Sequence, residues 1–388
     1  MNNGEKIENC LCTFKTEYPI YSLALRRNKL FIGGGKPNQL PILSCYSKEG
    51  SDFKLVSKQE FENNVHFVSS IAIHPKERII ACGINNSEEV IKKNNNQNKS
   101  CKIYKYKNNE FQLIHELHSL KGDASNDFQN NTKFNSDGTL LLTAGTDGLI
   151  TMFDTVDYHP LFIRDQGESV LDTHFNESGS LVVSVSSQRL VVFKSANGSI
   201  VYEISNPIFN GKREATFASA RFGQGESRTK LFIIANIDTK KSILCTLDIS
   251  NWDKVHTKTI LKNIGIKKIE VSPSGSHLTY VTVDNQLGVV NTKTARVILK
   301  INTAELTDND DIITSISYTD EEHELIFGTD QGVCKLLKLK RAPETVVKFV
   351  LVSMSVISML CIIILVLYAI MSKNPEYTFT SNDMYDEL

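Results

Sequence analysis

Through about the first 340 of its 388 residues this chain repeats one pattern: an apolar strand, a turn, a second apolar strand, a Gly or Asp turn, and a third strand. The clearest copy is residues 131–154, NTKFNSDGTLLLTAGTDGLITMFD. Asn135-Ser136-Asp137-Gly138 turns the chain, Leu140 to Ala144 reads as a buried run, Thr146-Asp147-Gly148 turns it again, and 149–153 alternates. Other copies begin at Ser22, Ser70, Thr173, Ser219, Ile269 and Ser315. They align on the last apolar residue of each first strand: Leu25, Ile73, Phe134, Phe175, Phe222, Val271 and Tyr318. The intervals are mostly about 41 to 49 residues, the period of four-stranded propeller blades. Such a unit cannot bury its faces alone, so neighbours must stack and the ring must close. The pattern predicts an all-β, seven-bladed β-propeller over residues 1–342, with residues 10–16 as an outer strand beside the last blade.

The repeat resembles the WD-repeat family in degenerate form. Phe153-Asp154, Phe193-Lys194 and Val290-Asn291 hold positions where that family carries Trp-Asp, and the single tryptophan, Trp252, falls outside this register. One interval of about 61 residues carries an insertion, 88–100, EEVIKKNNNQNKS, whose polar, aperiodic composition predicts a solvated loop. The acidic run Asp308-Asn309-Asp310-Asp311 reads as a solvated face in the same way.

Residues 349–371, FVLVSMSVISMLCIIILVLYAIM, carry no charge and are long enough to cross a bilayer as a helix. Lys335, Lys338, Lys340, Arg341 and Lys348 precede this span, whereas only Lys373 follows it, among Glu376, Asp383, Asp386 and Glu387. The positive-inside rule then places the propeller in the cytosol, 343–348 as a juxtamembrane linker, and 372–388 as a lumenal tail. The first ten residues contain no apolar signal-peptide core. Eight cysteines without a CxxC pair read as buried, reduced thiols, and sequons at Asn85, Asn98, Asn130, Asn176 and Asn197 would stay unmodified on the cytosolic side.

Lys plus Arg number 43 against 44 Asp plus Glu, a balance that gives no electrostatic reason for nucleic-acid binding. No phosphate loop, HExxH, GxSxG or kinase motif is present, so hydrolase and phosphotransferase readings have no starting point. His74, His174 and His277 fall singly within blade turns, and Asp137, Asp147, Asp284 and Asp330 fit turn chemistry. The exception to this blandness is Gly33-Gly34-Gly35-Lys36-Pro37-Asn38 in the first repeat. Consecutive glycines permit backbone angles that side chains forbid and let a partner or an ion approach the main chain. Asn38 adds a carbonyl oxygen that a hard cation accepts. A plain glycine-rich blade turn has the same spacing.

With this loop, a degenerate seven-bladed ring and a C-terminal span, the chain resembles the endoplasmic reticulum membrane exchange factors for the Sar small GTPase, the prolactin regulatory element-binding protein family. The resemblance implies a guanine-nucleotide exchange factor that starts COPII coat assembly for ER-to-Golgi transport, with no acid, base or nucleophile and no required cofactor. It also implies that Gly33, Gly34, Gly35, Lys36, Pro37 and Asn38 contact the GTPase, and that Gly34, Gly35 and Asn38 hold a potassium ion. Substitution of Gly34 or Asn38 is then expected to reduce exchange while leaving the fold intact. The last residues, Tyr385-Asp386-Glu387-Leu388, resemble a KDEL-type retrieval address for the corresponding receptor. A membrane-anchored propeller scaffold or tether is the alternative that ring and anchor allow equally.

Overall fold

The second strand of each repeat reads as an almost unbroken apolar run because a neighbouring sheet covers both of its faces. Leu140–Gly145 and Leu181–Val185 are buried along nearly their whole length. Outer strands such as Asp52–Glu60 and Pro160–Asp165 are largely exposed. The computed structural model describes residues 10–35, 41–61, 65–95, 97–121, 127–209, 213–238, 241–301, 311–321 and 323–339, and position 359. Within them, seven four-stranded antiparallel sheets form the blades of a propeller, with one extra hairpin, Ile208–Phe209 and Arg213–Glu214, between the fourth and fifth.

The innermost strands are Ile20–Arg26, Val65–Ile73, Gln129–Phe134, Asp172–Phe175, Thr216–Phe222, Ile266–Val271 and Ile313–Tyr318. Each ends at, or one residue after, the apolar position that aligned the repeats. The core is correspondingly divided among the blade junctions. Phe31, Leu43, Ile71 and Ile80 join blades one and two, and Phe232, Ile234, Ile269 and Leu278 join blades five and six.

Closure follows the expected route. Cys10–Lys15 pairs antiparallel with Val333–Lys338 as the outermost strand of the seventh blade, with Phe14 opposite Cys334. Phe14 also reaches the first blade, its ring 4.9 Å from Tyr46 and 5.6 Å from Phe53. A single N-terminal strand thus ties the last blade to the first, within the unit Met1–Leu339.

The insertion differs from the solvated loop predicted for it. Glu88–Lys93 is a short helix, capped by the Ser87 Oγ accepting from the Val90 N–H at 3.4 Å, with Ile91 fully buried. Acidic Glu88 and Glu89 at its start and basic Lys92 and Lys93 at its end match the helix dipole. The one apolar anchor at Ile91 overrides the polar composition. Beyond the helix, the Asn86 amide donates to the Asn98 side chain at 2.9 Å, and Asn98 is buried. Asn85 and Asn176 are likewise buried, leaving Asn197 as an exposed sequon.

Among the described residues no helix is long and apolar enough to cross a membrane. The expected linker 343–348, span 349–371 and tail 372–388, including Tyr385, Asp386, Glu387 and Leu388, lie outside the described residues apart from position 359. The same holds for Asp308, Asn309 and Asp310, whereas Asp311 is buried.

Truncating the half-buried Phe14 to Ala removes the aromatic contact that spans the closure. Its expected cost is about 2–3 kcal/mol, read from the urea midpoint at unchanged slope. A loss under about 0.5 kcal/mol, the range of ordinary surface substitutions, would show that the ring does not depend on this seam.

Candidate binding face and central channel

One face of the ring gathers the starts of the innermost strands and the ends of the second strands. In the first blade Gly33 pairs with Ser22 and Leu43, and Gly34 pairs with Ile20 and Ile42, so both glycines sit at this rim. Neither has a positive φ. Their requirement is space rather than unusual backbone angles. A Cβ on Gly33 would lie 2.6 Å from Val68 Cγ1 and 2.7 Å from Ser22 Oγ, and one on Gly34 would run into the Pro19 carbonyl. Gly34 is therefore bound to the fold, contrary to the expectation that it could be changed without harm. Gly35 is buried, while Lys36, Pro37 and Asn38 lie outside the described residues, as does part of the potassium ligand set Gly34, Gly35 and Asn38.

Beside this rim the Tyr21 and Phe67 rings lie 5.1 Å apart and Phe67 and Phe128 lie 5.5 Å apart, all three half-buried. They border an apolar hollow of about 490 Å³ completed by Val281, Ile312 and Ile316. Ile312 stands 47% exposed at its edge. The hollow arises because six innermost strands carry a bulge near this end, where one extra residue opposes the second strand. In the first, third, sixth and seventh blades the inserted residues are Tyr21, Asn130, Lys267 and Thr314, and the bulges turn residues at the mouth off the regular alternation.

Inside the ring is a polar cavity of about 440 Å³ whose wall includes Lys133, Asp172, Arg221, Lys268 and Glu270. These residues stand one or three positions before the aligned ends of their strands, because alternate residues of an innermost strand face the channel. Arg221 is 1% exposed, pairing through Nη1 with Asp172 and through Nε with Glu270 at 3.1 Å. Burial opposes its charge, but the two carboxylates hold its pKa raised. Burial, followed by the field of Arg221, lowers the pKa of Lys133 and pushes that of Lys268 down to about 8. Both lysines are part-exposed and line the channel cavity, and Lys268 also borders the rim hollow. His174 stands one position before the aligned end of the fourth innermost strand, its Nδ1 accepting the Phe222 N–H at 3.3 Å, with a pKa well below the usual value through burial and then Arg221.

The other singled-out residues serve the scaffold. His74 Nδ1 accepts the Lys76 and Glu77 N–H groups, so Nε2 donates to the Gly138 carbonyl at 2.9 Å and joins blades two and three. Asp137 accepts from Thr139, Asp147 from the Leu149 N–H, and Asp330 from the Ile312 N–H, all as turn or loop caps. Asp154, Asp157 and His159 approach one another, yet both carboxylates are engaged by N–H groups of their own turn. In the channel Asp172 and Glu270 are tied to Arg221, and Asp320 accepts the Arg27 N–H, so the cluster is suited to binding.

Lys268 supplies a pH signature. Below pH 8 its ammonium is charged in folded and unfolded chains alike and its desolvation opposes folding in full. Between about 8 and the ordinary 10.5 the unfolded chain binds more protons, so this group's contribution to stability rises with pH. NMR of 13C-labelled lysine is expected to show one Cε resonance titrating near pH 8 that Lys268→Arg removes. Ordinary titration of every lysine would place this ammonium in bulk water.

Comparison with known proteins adds two findings. Residues 115–154 match the WD domain, G-beta repeat family, and they run from the outer strand of the second blade through the third strand of the third. The chain is also 22% identical over 298 residues, 72% of its length, to SED4 of Candida glabrata, which is provisionally described as a guanine nucleotide-exchange factor. That alignment covers 28% of the relative, so this chain corresponds to little more than a quarter of it. With seven blades, a matched WD unit and this distant relative, the chain is similar to the degenerate WD-repeat exchange factors.

Proposed function

We propose that this chain is a guanine-nucleotide exchange factor for a Sar-type small GTPase, held at the endoplasmic reticulum membrane by residues 349–371 and promoting COPII assembly for ER-to-Golgi transport. The observation that carries the reading is the rim where the first-blade glycine segment stands beside the aromatic hollow, on a chain 22% identical over 298 residues to a protein provisionally described as a guanine nucleotide-exchange factor. A rigid ring exposing half-buried aromatic side chains at one edge offers the kind of anchor on which interfaces concentrate their binding energy.

The proposed mechanism is thermodynamic. A factor that binds the nucleotide-free GTPase more tightly than the loaded form must, by reciprocity, weaken nucleotide binding in the complex by the same factor. Residues 33–38 would press on a switch segment whose order depends on phosphate and magnesium, while Tyr21, Phe67 and Phe128 hold the partner against the ring. GDP leaves, and GTP in excess reloads the site. Potassium at Gly34, Gly35 and Asn38 would stiffen that segment, and retrieval through Tyr385, Asp386, Glu387 and Leu388 would return escaped protein.

The test is release of a fluorescent GDP analogue from purified Sar GTPase, using the full chain in detergent. Acceleration is expected, with Asn38→Ala and Phe67→Ala each lowering it about tenfold or more at unchanged melting temperature. A well-folded chain that leaves release unchanged would transfer the assignment to the scaffold reading. The proposed orientation has its own check, because the exposed Asn197 sequon is expected to remain unglycosylated in cells. Sugar at Asn197 would place the ring in the lumen and remove it from a cytosolic GTPase.

A further inference from the structure

The charges lining the central cavity do not cancel. Arg26, Lys133, Arg221 and Lys268 face Asp172, Glu270 and Asp320, four cations against three carboxylates, leaving one positive charge in excess. The distribution is more telling than the sum. Arg221 takes both Asp172 and Glu270. At the other end of the channel, the Arg27 backbone N–H donates to Asp320 at 2.8 Å, and Arg26 Nη1 donates to the His74 carbonyl at 3.4 Å. Neither Lys133 nor Lys268 comes within 4.0 Å of a carboxylate among the described residues, although Asp172 and Glu270 share their cavity.

Two ammonium groups thus enter one confined space from opposite sides of the ring, the third blade and the sixth. Keeping two unpaired cations there is unfavourable in an interior that screens charge less than bulk water does. Ser315 lies on the same wall, whereas the hydroxyls of Ser22, Ser70 and Ser317 donate to the Val68, Gln129 and Tyr318 carbonyls. Two ammonium groups, each with three N–H donors and no carboxylate partner among the described residues, form a charged donor set that suits a tetrahedral oxyanion.

We infer that the central channel is a binding site for one small phosphate-class oxyanion, held between Lys133 and Lys268. Binding would offset the excess positive charge and favour the protonated form of both ammonium groups. The site does not include the glycine segment, Tyr21 and Lys268 border both the channel and the rim hollow, and the test is independent of any GTPase.

The full chain in detergent is melted with increasing inorganic phosphate, against chloride at matched ionic strength. A saturable rise in melting temperature is expected with phosphate alone, because a ligand of the folded state stabilises by mass action. Lys133→Met and Lys268→Met should each weaken the apparent phosphate affinity roughly tenfold, and Lys268→Arg should largely restore it. Should the Met variants fail to fold, lysine NMR of the unsubstituted chain decides. Phosphate is then expected to raise the Lys268 titration midpoint by about one unit or more, the linkage that binding to the charged form requires. No stabilisation beyond chloride, stabilisation that persists in the double Met variant, or an unmoved Lys268 midpoint would each overturn the inference.

Discussion

Burial on both faces of every sheet is the constraint on which the rest of this structure depends. A blade with apolar residues on two sides can hide them only between two neighbours, so no blade can be terminal. Pairing Cys10–Lys15 with Val333–Lys338 meets that demand, because the seventh blade is incomplete until the other end of the chain supplies its fourth strand. Phe14 against Tyr46 and Phe53 extends the seam into the first blade. The ring is rigid because it is closed.

Closure also explains why chemistry-bearing residues gather where they do. Converging on an axis, the seven innermost strands force side chains from distant parts of the sequence into one small volume. Asp172, Arg221 and Glu270 are about fifty residues apart in succession, yet share one ion-pair network. Burying Arg221 is tolerable because two carboxylates meet it, whereas breaking the network would strand a charge in the interior. At the rim, bulges turn side chains off the regular alternation and open the hollow beside Tyr21, Phe67 and Phe128. The axis is therefore charged and the adjoining edge mainly apolar, with Lys268 at the boundary between them. The two regions are built by the same strands and suit different ligands.

The glycine segment shows how one sequence feature can carry two meanings. Consecutive glycines suggest either a conformationally free loop or a close approach. Gly33 and Gly34 belong to the second kind, pressed against Val68, Ser22 and Pro19 in ordinary strand geometry. Residues of the segment that could serve a partner freely are those beyond the strand, and this is why Asn38, rather than Gly34, is the informative substitution. A similar shift applies to the insertion, where Ile91 alone converts a polar stretch into a docked helix.

Repeat number, blade register and the closing strand were legible in the sequence because a strand covered on both faces must be apolar at a fixed period. The aligned residues from Leu25 to Tyr318 mark the ends of the innermost strands for that reason. The structural tasks of His74 and the turn aspartates were legible too, since those interactions are local or fixed by the repeat. What only the tertiary structure decided is which side chains meet across the axis. Lys133 and Lys268 are 135 positions apart and belong to blades that do not adjoin. Their juxtaposition follows from the number of blades and the alternation of each strand together, and the bulges that shape the rim break that alternation. Charges one or three positions before the aligned strand ends were the visible trace of the channel, but their partners became identifiable only when the ring closed.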